Sequence, residues 1–257
     1  MDAFRLLDAD EPWPVLTGWQ DGSSPFLLTC DHAGRRVPRR LGRLGLPETE
    51  FDRHIAWDIG AAAVSGRLAE ALGATLVEQL YSRLVIDCNR PPSVENSIPR
   101  VSEATQIPGN AGLSAAEKQA RRAEIFQPYH DRIATLIDRR AERGRATVLV
   151  AMHSFTPEYL GVARPWHIGT LYGRDARLAR SLATMLRRED RFVVGDNQPY
   201  SVSDESDHTI PVHGEQRRLI HVGIEIRQDL IAGSAGQAEW AATLIRLLPE
   251  ALRMAER

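Results

Sequence analysis

Ala146-Thr147-Val148-Leu149-Val150-Ala151-Met152-His153-Ser154-Phe155 is the segment on which the reading of the chain turns. Val148 to Met152 is wholly apolar and follows the β-branched Thr147. A short run of this kind, without polar alternation, predicts a strand buried on both faces inside a parallel or mixed sheet. The run stops at His153-Ser154, so an imidazole falls at the end of a central strand. Open α/β sheets commonly place their chemistry there.

The same pattern of apolar run and polar stop recurs in both directions. Pro25 to Cys30 reads as a strand ending at Asp31-His32-Ala33-Gly34, where the glycine can turn the chain. Ala74 to Glu78 reads as a second strand and Leu84 to Asp87 as a third, stopped by Asn89-Arg90-Pro91-Pro92. His167 to Tyr172 is a short strand and Phe192 to Val194 an edge strand. Leu219 to Ile226 is the last strand, running into Arg227-Gln228-Asp229. Helices are predicted between them. Ile59 to Leu72 is Ala-rich and ends at Gly73. Ser114-Ala115-Ala116-Glu117 fits a capping box that opens a long helix to about Arg143, with Pro128 expected to kink it. Ala176 to Arg187 and Ser234 to Met254 follow, the latter with a second box-like cap at Ser234 to Gln237. Residues 1 to 24, Arg35 to Glu50, Ser93 to Gly112, Thr156 to Pro165 and Gly195 to Glu215 read as lead-in or loop. Long loops inside a compact domain are usually functional. Alternating strands and helices predict a single α/β domain, residues 1–257, on a mixed, largely parallel sheet.

Composition narrows the class. The chain has 257 residues, 43% of them hydrophobic, enough for a sizeable core. A net charge of −2, with both signs interspersed, gives no electrostatic case for nucleic acid or an anionic membrane. No apolar run approaches the roughly 18 to 20 residues of a spanning helix. Met1 to Pro14 is acidic and Pro-broken, unlike a signal peptide. Cys30 and Cys88 each close an apolar run and are expected as buried free thiols. These features predict a soluble cytoplasmic protein.

Four strand ends hold the candidate chemistry. His32 and His153 supply two imidazoles, and two imidazoles with a carboxylate make a catalytic zinc site that keeps one position open. For the carboxylate, Asp31 is adjacent to His32, and His54 and Asp58 share a face if Phe51 to Asp58 is helical. Glu225 lies inside the apolar run Val222-Gly223-Ile224-Glu225-Ile226. A buried carboxyl must be paired, metal-associated or protonated, and its raised pKa suits a general base. Arg227, two residues on and on the same strand face, is either its ion-pair partner or a further cation for the substrate. Asn89-Arg90 offers a planar fork for a carboxylate, with Arg83 as a second cation able to polarise a carbonyl. Cys30 or Ser154 as a nucleophile is the competing chemistry, but no nucleophile-elbow signature surrounds either.

Taken together, Asp31-His32-Ala33-Gly34, Ser82 to Pro91 (Ser-Arg-Leu-Val-Ile-Asp-Cys-Asn-Arg-Pro), Met152 to Phe155 and Gly223 to Arg227 resemble, in order, the motifs of the N-formylglutamate amidohydrolase family. The resemblance spans roughly residues 25 to 250. It implies a fold similar to the zinc carboxypeptidases and succinylglutamate desuccinylase, one α/β domain with helices on both faces of a mixed sheet. It also implies His32 and His153 as metal ligands, Asn89 and Arg90 on the substrate carboxylate and Glu225 as the base. Carboxypeptidases carry a glutamate ligand three residues after the first histidine; here that residue is Arg35. The third ligand is therefore expected from Asp58, with His54 as its rival. Members that serve histidine degradation tend to read His-Ser-Gly where this chain has His32-Ala33-Gly34. The expected activity is metal-dependent hydrolysis of an N-acyl amino acid such as N-formylglutamate. The metal would be Zn²⁺, with Co²⁺ or Mn²⁺ as alternatives. The second reading is a non-catalytic binder of a small carboxylate on the same fold.

Overall fold

The computed structural model describes residues 4–19 and 22–257. Of the lead-in, residues 1–3, 20 and 21 lie outside the described residues. Seven strands make the main sheet: β1 (Val15–Gly18), β2 (Phe26–Cys30), β3 (Thr75–Gln79), β4 (Val148–Phe155), β5 (Ile168–Leu171), β6 (Val194–Asp196) and β7 (Ile220–Arg227). Their order across the sheet is β1-β3-β2-β4-β7-β5-β6. The β1–β3 and β7–β5 pairs are antiparallel and the rest parallel. This is the expected mixed, largely parallel sheet.

Alternation along the strands divides the core between two faces. Leu28, Val150, Met152, Val222 and Ile224 pack with helices α1 (Ala61–Leu72), α4 (Arg177–Arg187) and α5 (Ser234–Ala255), through Leu68, Leu182, Leu244 and Leu248. Leu27, Val77 and Leu149 pack on the opposite face with Ile125, Tyr129, Ile133 and Ile137. Ile125 lies in the wide turn Arg122–Phe126 that follows α2 (Ala115–Arg121), and the other three lie in α3 (Gln127–Glu142). His153 and Glu225 have the parity of Leu149, so both point to the α3 side. They are direct partners in the β4–β7 register. One step earlier Ala151 pairs with Gly223, and both line a cavity. A Cβ on Gly223 would meet Ile210 Cδ1 at 3.0 Å and Leu171 Cβ at 3.1 Å. Small residues at this step keep the floor below His153 and Glu225 open.

Several expectations are corrected. Leu84 to Asp87 is not a strand but a buried turn. Its carbonyls are taken by side chains: Asn110 Nδ2 donates to Leu84 O at 2.8 Å and Arg121 to Val85 O at 2.9 Å. The lead-in contains the edge strand β1. The edge strand placed at Phe192 to Val194 is observed as β6, beginning at Val194. The long helix is broken into α2 and α3 by a π-type turn. Pro128 falls at the start of α3, where its missing N–H costs little. The capping box at Ser114 is present, whereas α5 has no side-chain cap at Ser234 to Gln237. The loops Ser93 to Gly112 and Thr156 to Pro165 each carry a two-residue-per-strand hairpin. Gly34 is required by close approach: a Cβ there would lie 2.0 Å from Leu80 O. Cys30 and Cys88 are buried free thiols, and burial pushes both far up in pKa. Among the described residues no helix is long and apolar enough to cross a membrane.

Candidate active site

The strand ends meet at one cavity of about 600 Å³. His32, His54, Asp58, Arg83, Asn89, Arg90, His153 and Glu225 all line it. Arg227 does not; its guanidinium is engaged by Asp229, with Nε to Oδ1 at 2.8 Å. Arg227 is therefore not the ion-pair partner of Glu225.

Asp58 is the centre of the arrangement. Phe51 to Asp58 is a 3₁₀ turn followed by bends rather than the expected α-helix, yet it delivers Asp58 to the site. Asp58 N–H donates to His32 O at 2.9 Å, which ties the segment to the end of β2. Asp58 Oδ2 lies 2.9 Å from His153 Nδ1 and 3.3 Å from His32 Nδ1. It also accepts from the backbone N–H of Ser154 at 3.3 Å. Arg83 spans two carboxylates, reaching Asp58 Oδ1 at 3.2 Å and Asp87 Oδ2 at 3.0 Å. The rival ligands take other places. Asp31 faces the far side of His153, and His54 Nδ1 stands 3.8 Å from Asp58 Oδ1 without a hydrogen bond.

The outer nitrogen of each imidazole also meets a carboxylate. His32 Nε2 is 2.7 Å from Asp87 Oδ1, which also accepts from Asn89 N–H at 2.9 Å. His153 Nε2 is 3.2 Å from Asp31 Oδ2, close but not aligned as a hydrogen bond. These contacts set the charges. Burial would raise the Asp58 carboxyl, but His32 and His153 outweigh it and hold it well below its usual range. Asp31, equally buried, is held down at about 2 by His153, His32 and Tyr129. Burial would lower the His153 imidazole, but Asp31 and Asp58 raise it well above its usual value.

This donor set fits a divalent metal. One ring nitrogen each of His32 and His153 and an Asp58 carboxylate oxygen lie within 4.8 Å of one another, and all three residues are buried. Two imidazoles and one carboxylate are the ligand chemistry of catalytic zinc. The Asp87 and Asp31 carboxylates on the outer nitrogens are the usual orienting partners of ligating histidines.

Glu225 is 6% exposed, and its Oε2 has no hydrogen-bond partner among the described residues. Burial pushes its carboxyl up to about 7, against the opposing pull of His153. The competing nucleophiles lack an activating base. Ser154 Oγ is buried without a hydrogen-bond partner among the described residues, and Cys30 does not line the cavity.

The Asn89-Arg90 pair sits against the loop of residues 199–209. Asn89 Oδ1 accepts from the N–H groups of His208 and Thr209 at 3.2 and 3.1 Å, and its Nδ2 donates to Asp207 Oδ1 at 3.1 Å. Arg90 donates to Ser206 O. The carboxamide is thus taken up by the loop, while Arg90 borders the cavity. His208 and His213 do not reach the cavity. Behind the loop His213 stacks on His130 and His208 meets His130 edge-on, with His130 Nδ1 3.0 Å from His213 Nε2. Sequence reasoning gave no role to Tyr129, Thr209, Tyr159 or Tyr200. The first two bind Asp31 and the last two line the cavity mouth. The only signal for the tyrosines at the mouth was the length of the two loops.

Comparison with known proteins agrees with this architecture. The family model for N-formylglutamate amidohydrolase matches residues 24–232. A crystal structure of a gene product from Agrobacterium tumefaciens superposes with a TM-score of 0.94 at 40% identity, covering 98% of this chain and all of that one. An N-formylglutamate amidohydrolase from Ralstonia eutropha shares the fold, with a TM-score of 0.65 at 20% identity over 95% of this chain and 99% of its own. An N-formylglutamate deformylase of Pseudomonas aeruginosa is 28% identical over 90% of this chain and 93% of its own length. With the family match running from β2 to the segment after β7, the chain belongs to the N-formylglutamate amidohydrolase family and is a hydrolase.

Proposed function

We propose that the protein hydrolyses the amide bond of N-formyl amino acids, N-formylglutamate first among them, at a divalent metal held by His32, Asp58 and His153. The observation that carries this reading is the convergence of both Nδ1 atoms on Asp58 Oδ2, beside a buried Glu225 whose Oε2 has no partner among the described residues. The name of the Pseudomonas relative supports the formyl substrate. A divalent cation held by these three residues, Zn²⁺ or in its place Co²⁺ or Mn²⁺, would supply Lewis acidity and would lower the pKa of water in the site to about 7.

The chain's own groups do the remainder. Glu225 takes a proton from the attacking water and returns it to the departing amine, leaving formate and a free amino acid. A carboxyl with its pKa near 7 is suited to both transfers. Arg83, fixed by Asp58 and Asp87, presents positive charge where the carbonyl oxygen becomes negative. Arg90 takes the substrate carboxylate, and Asn89 holds the loop that faces it. Burial of Glu225 serves no purpose in a passive carboxylate binder, which disfavours the second reading.

The test is release of formate or acetate from a panel of N-formyl and N-acetyl amino acids by zinc-loaded protein. Turnover of the formyl compounds supports the proposal. No turnover of any member by fully loaded protein would sink it.

A further inference from the structure

Asp31 has two oxygens with different duties. Its Oδ1 accepts from Tyr129 O–H at 2.6 Å and from Thr209 O–H at 2.8 Å. Its Oδ2 faces His153 Nε2 at 3.2 Å. Tyr129 is fully buried in α3, and Thr209 is fully buried at the end of the loop that Asn89 and Arg90 hold. An unbroken run of contacts therefore leads from Asn89 through the backbone of Thr209 and its hydroxyl to Asp31, and from there to His153.

We propose that Asp31 is a positioning residue that sets the orientation and tautomer of His153, and that Thr209 couples the seating of the substrate loop to metal binding through it. This rests on the metal site proposed above. Asp31 Oδ2, 3.2 Å from Nε2, is the acceptor that favours a proton on that nitrogen, and this tautomer of His153 keeps the Nδ1 lone pair free for the cation. The two hydroxyls fix which oxygen of Asp31 faces the ring. A loop that lifts away removes one of those hydroxyls and loosens the ring.

The arrangement makes Asp31→Asn informative. Two hydroxyl donors hold the carboxamide oxygen at the Oδ1 place, so the NH₂ group must face His153 Nε2. The ring then keeps its proton on Nδ1, the atom required for ligation. Outer partners of ligating histidines typically contribute about 10- to 100-fold in metal affinity. Asp31→Asn should weaken Zn²⁺ binding by about that factor. Thr209→Val should weaken it by up to about 10-fold and raise KM more than it lowers kcat, whereas Thr209→Ser, which keeps the hydroxyl, should resemble the parent.

The experiment is a Zn²⁺ titration of the metal-free full chain against a chromophoric chelator, with the visible spectrum of the Co²⁺ form as a readout of coordination. Weaker Zn²⁺ binding with a shifted Co²⁺ spectrum in Asp31→Asn and Thr209→Val, but not in Thr209→Ser, supports the coupling. Parent-like Zn²⁺ affinity in a folded Asp31→Asn protein overturns it. If that variant does not fold, Thr209→Val and Tyr129→Phe decide, and unchanged Zn²⁺ affinity in both overturns it. A parent protein that binds no metal overturns the metal site itself, and this coupling with it.

Discussion

Asp58 Oδ2 lies 2.9 Å from His153 Nδ1, at the same oxygen that His32 Nδ1 approaches from the end of β2. Three separate segments thus meet at one buried carboxylate. Replacing Asp58 with Asn removes the ligand charge while keeping the shape. Since even an outer partner contributes about 10- to 100-fold, loss of this ligand should weaken metal binding by at least about 100-fold. Metal content after gel filtration checks this. A variant that keeps a full equivalent would contradict it.

Glu225→Gln should lower kcat by about 10²- to 10⁴-fold, the range for a general acid–base, while leaving metal content intact. The base works ionised, so the parent's activity should fall as pH drops below about 7, and the variant's residual activity should lose that limb. Stability moves the other way. A carboxyl raised in the fold binds more protons folded than unfolded between its ordinary value and about 7, so ionisation costs stability as pH rises through that window. The Gln variant should therefore gain in melting temperature at pH 8 and not at pH 4.

Arg90→Ala should raise KM by about 10- to 100-fold with a smaller effect on kcat, as expected when a hydrogen bond to a charged group is lost. Arg90→Lys should recover only part, because a point charge does not replace a planar fork. Initial rates over a substrate series separate the two parameters; an unchanged KM in Arg90→Ala would remove this residue from the substrate site.

The histidines behind the loop predict an acid limit to stability. Burial lowers the His213 imidazole to about 4, assisted by the neighbouring His208, and burial with the two neighbouring imidazoles holds His130 well below its usual value. These groups are neutral in the fold but take up protons when unfolded below about 6.5. Their contribution is complete above that pH and is lost as pH falls toward 4. Urea unfolding at pH 7.5 and pH 5 should show the decline, and His213→Gln should flatten it. An identical slope in parent and variant would assign the acid sensitivity elsewhere.

Much of the sheet was legible because β4 and β7 are apolar runs with polar stops; the stop of β4 carries His153, and Glu225 stands out as the one carboxylate inside the run of β7. The β1 strand was not, since an edge strand of intermediate and exposed residues lacks the apolar signal. Leu84 to Asp87 misled for a physical reason. Its residues are buried like a strand, but Asn110 and Arg121 satisfy its carbonyls in place of a neighbouring strand. In the site, residue types next to strand ends were readable: both histidines, Glu225, Arg83 and Arg90 line one cavity. Arg227 was assigned from strand parity, and the nearby Asp229 draws it away. Tyr129 and Thr209 were invisible because their roles depend on contacts 98 and 178 residues away in sequence.

The central claim is that His32, Asp58 and His153 hold a catalytic metal. The most direct measurement is metal content of the purified protein together with formate release from N-formyl-L-glutamate, before and after chelation and after Zn²⁺ is restored. The account predicts about one equivalent of metal per chain, activity abolished by the chelator and recovered with Zn²⁺. Undiminished turnover by metal-free protein, or failure to bind Zn²⁺, Co²⁺ or Mn²⁺ at all, would contradict it.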